Sequence, residues 1–317
     1  MANQIITNCC NADCTFCFAA DSRSRMLRTG SRQMDETEVR SWLDFTMKAG
    51  ITELRLLGGE PTIHPNFADF VKVGREAGCS ILVFSNGVMP DTAREALAGL
   101  DPEVCTVVVN MNAAIREGDA ARRRDTLEML GPRVIPGMTL TSPDFLFQPS
   151  IAAIEAFGMR KAIRIGISNP TWRGNNCALH PKRYRAIGRA LFEKSFLTAK
   201  YGISLEADCG FVRCMFGNDF DQIKDNGFKF VSHCTPVLDL LTGGRIIPCF
   251  GLSNLMSADR RDFADAGAAY EWFMEKLKPW KRIGIYPECT DCPLFGTEEC
   301  CGGCLAARLR RFQPYSD

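Results

Sequence analysis

Histidine is scarce in this chain, with three in 317 residues (His64, His180 and His233), and there is no GxSxG elbow, P-loop or HExxH pair. The familiar machinery of hydrolysis and phosphoryl transfer is therefore missing. No apolar stretch reaches the roughly 18 residues of a membrane helix, and the strongest runs, Ile81 to Phe84 and Thr106 to Val109, are strand-sized. The opening MANQIITNCC lacks the basic segment, apolar core and cleavage site of a secretory signal, so a cytoplasmic, reducing setting is expected. Charge of one sign is also missing. Lys and Arg total 38 against 37 Asp and Glu, a formal net charge of +1, which points to no nucleic acid, membrane surface or polyanion. Repeats, low-complexity tracts and flexible linkers are absent too.

Cysteine is abundant, at 16 residues. In a reducing setting these are metal ligands, catalytic thiols or buried fillers, and their clustering bears on the choice. Cys9, Cys10, Cys14 and Cys17 open the chain; Cys209, Cys214, Cys234, Cys249, Cys289, Cys292, Cys300, Cys301 and Cys304 close it. Cys79, Cys105 and Cys177 lie alone and read as buried small apolar residues.

Between the clusters, apolar β-branched runs occur at Gln4 to Thr7, Glu53 to Leu57, Ile81 to Phe84, Thr106 to Asn110, Met138 to Thr141 and Ala162 to Ser168, with helical patterns between them. Six such units predict an α/β fold with a curled parallel sheet. In the first connecting helix Asp35 caps, Glu38 completes a capping box, Val39, Trp42, Leu43 and Met47 share an apolar face, and Gly50 closes. Further helices are expected at Phe67 to Ala77, Asp91 to Leu100, Ser150 to Phe157 and Pro181 to Tyr201. After about Leu205 the alternation stops until a last amphipathic helix near Phe263 to Leu277, which divides the chain into residues 1–205 and 206–317, packed together. Arg122 to Arg124, and Arg308, Arg310 and Arg311, read as solvated helix faces, and His64 as a loop residue.

Two motifs carry chemistry in the first region. Cys10, Cys14 and Cys17 put three thiols in one loop after the first strand. A cubane held by three thiolates keeps one iron open for an outside ligand. The alternative register, Cys9-x4-Cys14-x2-Cys17, has plant-ferredoxin spacing, and zinc is a third candidate; spacing alone leaves all three open. At the end of the second strand stands Gly58-Gly59-Glu60-Pro61, where paired glycines allow close backbone approach to a ligand.

Together the CxxxCxφC loop, with Phe16 as its aromatic, and the GGEP turn resemble the radical S-adenosylmethionine (radical SAM) enzymes over residues 1–205. The resemblance implies a partial (β/α)6 barrel in which Cys10, Cys14 and Cys17 hold a 4Fe-4S cluster and SAM occupies the fourth iron. One electron then cleaves SAM to a 5′-deoxyadenosyl radical that abstracts a substrate hydrogen. It also implies that Gly58, Gly59, Glu60 and Pro61 hold the methionyl ammonium. Ser85 and Asn110 would lie near the ribose or methionyl group, and Arg164 near the carboxylate.

The closing array runs Cys234, nine residues, Gly244, four residues, Cys249, a gap, then Cys289-x2-Cys292-x7-Cys300-x3-Cys304. It resembles the SPASM extension, which carries two auxiliary 4Fe-4S clusters, although its second half is two residues longer and no cysteine follows Cys304. By that resemblance Cys234, Cys249 and Cys304 serve one cluster with Cys209 or Cys214. Cys289, Cys292 and Cys300 serve the other, whose fourth ligand is Cys301, Cys209, Cys214 or a non-cysteine group. A single-cluster twitch version and structural zinc are the competing readings. Anaerobic sulfatase maturases carry an Asp directly after the array's second cysteine; Phe250 stands there, which argues against their oxidation mechanism.

The expected function is modification of a ribosomally made peptide or protein side chain, by crosslinking or oxidation. Oxidation of a small-molecule alcohol or amine is the alternative, and a non-catalytic electron carrier or zinc scaffold is the reading from another class. The expected partners are a one-electron donor of flavodoxin or ferredoxin type and, since the chain reaches its first cysteines at once, leader binding supplied by a separate leader-peptide-binding protein or by the core itself.

Overall fold

Short, largely apolar strands build a sheet whose two faces serve different ends. In the computed structural model, which describes residues 1–21, 23–24, 33–171, 174 and 176–310, strands β1 (Asn3–Thr7), β2 (Glu53–Gly58), β3 (Ser80–Ser85), β4 (Cys105–Asn110), β5 (Val134–Leu140) and β6 (Ala162–Ile167) pair in chain order, each parallel to the next. Successive side chains point to opposite faces. Leu54 and Leu56, Ile81 and Val83, Val107 and Val109, and Ile163 and Ile165 all join the core. Their neighbours Leu57, Phe84, Val108 and Arg164 line a cavity on the other face.

Helices α1 (Glu36–Met47), α2 (Phe67–Glu76), α3 (Asp91–Ala98), α4 (Ala120–Leu130), α5 (Gln148–Phe157) and α6 (Tyr184–Lys200) connect the strands. In α1, Asp35 accepts from the Glu38 N–H at 2.8 Å, and Val39, Trp42 and Leu43 are buried. Met47 instead lies at the exposed edge of that stripe, in the last turn. The return half of the expected capping box is replaced too: the Glu38 carboxylate accepts from the Gly243 N–H at 2.5 Å, fastening α1 to the C-terminal region. The fifth strand begins four residues before the expected start, because Pro136-Gly137, a turn signal by sequence, runs inside the strand.

The sheet does not stop at Leu205. Strands β7 (Ser204–Ala207) and β8 (Phe228–Lys229) extend it beyond β6. On the opposite side β9 (Asp239–Leu241) pairs parallel with β1, followed by antiparallel β10 (Arg245–Ile247) and β11 (Ala258–Asp259). The order is β11-β10-β9-β1-β2-β3-β4-β5-β6-β7-β8, open at both ends. Helices α7 (Phe220–Asp225), α8 (Ala266–Leu277) and α9 (Leu305–Arg310) follow in the C-terminal region, and short 3₁₀ turns lie between many of the elements. No helix among the described residues is long and apolar enough to cross a membrane.

Three expectations change. Cys79 and Cys105 are buried, but Cys177 is exposed. Its peptide group is spent on Thr15 O and the Ser168 hydroxyl, which ties this segment to the first cysteine loop. Arg308 and Arg310 are buried rather than solvated, because α9 packs into the core through Leu305, Ala306 and Ala307; Arg311 lies outside the described residues. Of the other basic run, Arg122 and Arg124 are exposed, whereas Arg123 is half-buried and donates to the Asn110 carbonyl.

Candidate active site and cysteine clusters

The loop after β1 and the turn after β2 are joined by backbone bonds that continue the ladder past the strand ends. Gly59 N–H donates to Thr7 O at 2.9 Å and Glu60 N–H to Cys9 O at 2.8 Å. Such an approach requires glycine: a Cβ on Gly59 would stand 2.1 Å from Cys9 O, and one on Gly58 2.3 Å from Thr7 O. The cysteine loop is also tied to the turn after β3. Asn11 Nδ2 donates to Val88 O at 3.0 Å, and its Oδ1 accepts from Asn86 Nδ2 at 2.7 Å.

The result is a cavity of about 240 Å³ at the carboxyl ends of the strands. Cys10, Cys14 and Cys17 line it, with Gly58, Gly59, Ser85, Asn110 and Arg164. Cys9 is not in its lining, so the shared cavity favours the Cys10-Cys14-Cys17 register. Backbone donors already face two of the sulfurs, Ala12 N–H at 3.4 Å from Cys10 Sγ and Ala114 N–H at 3.2 Å from Cys14 Sγ. Arg23 Nη1 lies 3.9 Å from Cys17 Sγ. Burial pushes the thiols of Cys10 and Cys14 up. Donors aimed at sulfur are what a thiolate ligand needs, and iron would displace the proton that burial retains. The donor set fits a 4Fe-4S cluster.

Glu60 does not face the cavity as a free carboxylate. It is buried, and Oε1 accepts from Thr62 N–H (3.2 Å), Thr62 Oγ (2.6 Å) and Ser85 Oγ (2.9 Å), while Oε2 accepts from Asn86 N–H (2.7 Å). Burial pushes its carboxyl above the usual range, against these four donors. Ser85, in turn, holds Glu60 and accepts from Gly87 N–H at 2.9 Å. Asn110 Oδ1 accepts from Asn112 N–H at 3.2 Å. Pro61 is buried and begins the single 3₁₀ turn Pro61–Ile63. At the far wall Arg164 lies over the Phe84 ring at 4.9 Å and pairs with Asp208 at 2.9 Å.

Asp208 and Asn86 are cavity residues that sequence reasoning passed over. The available signals were their places at strand ends, and for Asp208 its position directly before Cys209. The other Asp208 oxygen accepts from the Cys209 N–H at 2.9 Å, so this carboxylate connects the cavity wall to the second concentration of cysteines.

There the structure brings the thiols into two groups. Cys209 shares a hydrogen bond with Cys304, and Cys234 and Cys249 lie close enough to Cys304 for their charges to interact. Burial pushes Cys234 up to about 11, while the bond to Cys209 draws Cys304 down to about 7. Cys214 instead joins Cys289 and Cys300; burial, then those two thiols, pushes it up to about 11. Cys292 follows Cys289 in the same turn, its N–H donating to Cys289 O at 3.3 Å. Cys301 stands between the groups, its thiol donating to Gly303 O and lying near both Cys300 and Cys304. Among the described residues no three His, Cys, Asp or Glu side chains converge as ligands of one ion. Both thiol groups fit clusters in donor chemistry.

Comparison with known proteins agrees with this arrangement. Residues 5–130 match the model of the Radical SAM superfamily. GTP 3',8-cyclase of Chlorobaculum tepidum is 30% identical over 100 residues, 30% of this chain and 29% of that protein. The sporulation killing factor maturation protein SkfB of Bacillus subtilis is 29% identical over 86 residues, 26% of this chain and 19% of that protein. The matched segments thus span less than a third of either relative. Streptococcus suis SuiB bound to S-adenosylmethionine superposes with a TM-score of 0.68 at 12% identity, covering 96% of this chain and 72% of that one. SuiB bound to its precursor peptide SuiA gives 0.65 at 13%, covering 96% and 71%. With motif pair, strand order and matched segment in agreement, residues 5–130 form a domain of the Radical SAM superfamily, whose members use a 4Fe-4S cluster and SAM.

Proposed function

We propose that the protein is a radical SAM oxidoreductase that modifies a side chain of a ribosomally made peptide. The observation that carries this reading is a single cavity lined by Cys10, Cys14, Cys17 and the paired glycines, whose wall residue Asp208 adjoins Cys209 of the second thiol group. Bound at the three thiols, a 4Fe-4S cluster with SAM supplies a radical able to abstract hydrogen. The chain's own residues do the rest. Gly58 and Gly59 let the turn close on the cysteine loop and offer the methionyl group a backbone wall; Ser85 and Asn86 hold Glu60 and with it the turn. Asn110 and Arg164 are the polar groups offered to the ribose and carboxylate. The apolar walls of Leu57, Phe84 and Val108 exclude water.

Cys209, Cys234, Cys249 and Cys304 are assigned to one auxiliary cluster, and Cys214, Cys289, Cys292 and Cys300 to another, which leaves Cys301 outside both. These clusters give an electron from a substrate radical somewhere to go. In this assignment residues 206–317 act as the auxiliary-cluster region. The peptide reading draws support from the maturation role in the name of SkfB and from the precursor peptide bound to SuiB. A small-molecule substrate is the second reading, favoured by the GTP 3',8-cyclase relative. A flavodoxin- or ferredoxin-type donor and a separate leader-binding protein complete the proposal.

The test is anaerobic reconstitution followed by dithionite and SAM. About twelve irons and release of 5′-deoxyadenosine are expected. Cys14→Ala abolishes release, whereas Cys289→Ala retains it and loses about four irons. About eight irons in the intact protein would return the single-auxiliary-cluster version, and zinc without SAM cleavage sinks the enzyme reading. Incubation with a candidate precursor peptide then yields a product lighter by hydrogen, detected by mass spectrometry; a product seen only with small alcohols or nucleotides would select the second reading.

A further inference from the structure

Arg308 is a buried charge with unused donors beside a thiol group. Helix α9 starts at the residue after Cys304, and the Arg308 N–H donates to Cys304 O at 3.0 Å. A helical side chain lies back over the turn N-terminal to it, which carries this one toward the cysteine. Arg308 is 0% exposed. Its Nη1 donates to Ile283 O at 2.9 Å and Lys281 O at 3.3 Å. Nε and Nη2 are buried without a partner, and no Asp or Glu among the described residues pairs with this arginine.

A guanidinium keeps its proton in proteins, and a buried charge left unpaired costs several kcal/mol. Such a group calls for an anion. The groups its charge reaches are the thiols of Cys234, Cys301 and Cys304. Of the carbonyls it grips, that of Ile283 directly precedes Gly284, which packs so closely on Cys289 that an added Cβ would stand 2.2 Å from the Cys289 Cβ. Arg308 is therefore fixed through Nη1 to the segment that bears one thiol group, while its backbone is bonded to Cys304 of the other.

We propose that Arg308 is a positioning residue for the cluster held by Cys209, Cys234, Cys249 and Cys304: its Nε–H and Nη2–H groups donate to the cluster's sulfurs, and its fixed charge raises the cluster's reduction potential. The inference rests on the reading that this thiol group holds iron and sulfide. Reduction adds negative charge to a cluster, so a permanent cation and N–H···S bonds favour the reduced form. A cluster tuned in this way accepts an electron from a substrate radical more readily.

The test uses the whole chain, produced with arginine ¹⁵N-labelled in the guanidinium group, reconstituted and reduced. Pulsed EPR on the auxiliary signal should show ¹⁵N coupling together with an exchangeable-proton coupling. Arg308→Lys, which keeps the charge without the fork, should lose the ¹⁵N coupling. Arg308→Gln should in addition shift the midpoint potential of that cluster to more negative values, with the cluster at Cys10, Cys14 and Cys17 as internal reference. An auxiliary signal without ¹⁵N coupling in the unmutated protein overturns the proposal even where neither variant folds. An unchanged midpoint in folded Arg308→Gln overturns the tuning. Iron for one cluster only, with no auxiliary signal, overturns the underlying reading and this inference with it.

Discussion

Gly59 and Glu60 stand side by side in one turn, yet each is required for a different physical reason. Gly59 is needed for space, since an alanine Cβ would meet Cys9 O at 2.1 Å and Cys10 Cβ at 2.9 Å. Backbone atoms cannot step aside cheaply, so Gly59→Ala should displace the cysteine loop, weaken SAM binding about tenfold or more and lower stability by about 1–3 kcal/mol. Gly118→Ala, with nothing within 4 Å, should do neither; equal SAM affinity in the two variants would refute the argument. Glu60 is needed for acceptance. Three donors face one oxygen and the Asn86 N–H faces the other, so either orientation of a glutamine amide sets its NH₂ against a donor. Glu60→Gln should cost about 1–3 kcal/mol in chemical denaturation. The motif itself was legible in the sequence, because three thiols and a GGEP turn are local patterns. The partnership of Ser85 with Glu60 was not, since it spans 25 positions and depends on strand register.

His64 shows how a connecting element acquires a structural role. It is a loop residue, as the sequence predicts, capping the 3₁₀ turn Pro61–Ile63, and it is also buried, its ring 4.7 Å from that of Phe70. Nδ1 accepts from the Asn66 N–H at 3.1 Å, which leaves Nε2–H to donate to Met34 O at 3.0 Å. Protonating Nδ1 would oppose two donors, and burial further lowers the affinity for a proton. The unfolded chain takes up that proton near pH 6.5, while the folded chain resists to lower pH. The unfolded state therefore binds more protons below 6.5, and stability falls as the pH drops through that range. Denaturation midpoints from pH 7.5 to 5 should show this decline in the wild type and a flatter profile in His64→Gln; parallel profiles would remove the histidine from the account. Strand and helix positions were readable at this scale because periods of 2 and 3.6 are local. The burial of Arg308 was not, because it depends on which face of α9 meets the core.

Across the whole molecule, the change of composition near Leu205 does not coincide with a break in the hydrogen-bonded sheet. Strand β1 lies between β2 and β9, with Asn3 opposite Asp239 and Gln4 opposite Leu240. The Asn3 amide donates to Asp239 Oδ1 at 2.8 Å and its backbone N–H to Leu238 O at 2.9 Å. Leu240, Ile246 and Phe273 belong to the same core as Leu56 and Val83. A pairing of residues 236 positions apart leaves no trace in local periodicity, and this is why the sequence reads as two regions. A chain ending at residue 205 would bare one side of β1, the edge of β6 and a share of the common core, a surface that pairs with other chains. Such a truncation should be recovered mainly as aggregate. The intact cluster-free chain should unfold in a single transition, with circular dichroism and tryptophan fluorescence sharing one midpoint, because Trp42 and Trp172 belong by sequence to one region and Trp272 and Trp280 to the other. Two separated midpoints, or a soluble cooperative fragment of residues 1–205, would mean that the β1–β9 pairing joins two units able to fold alone.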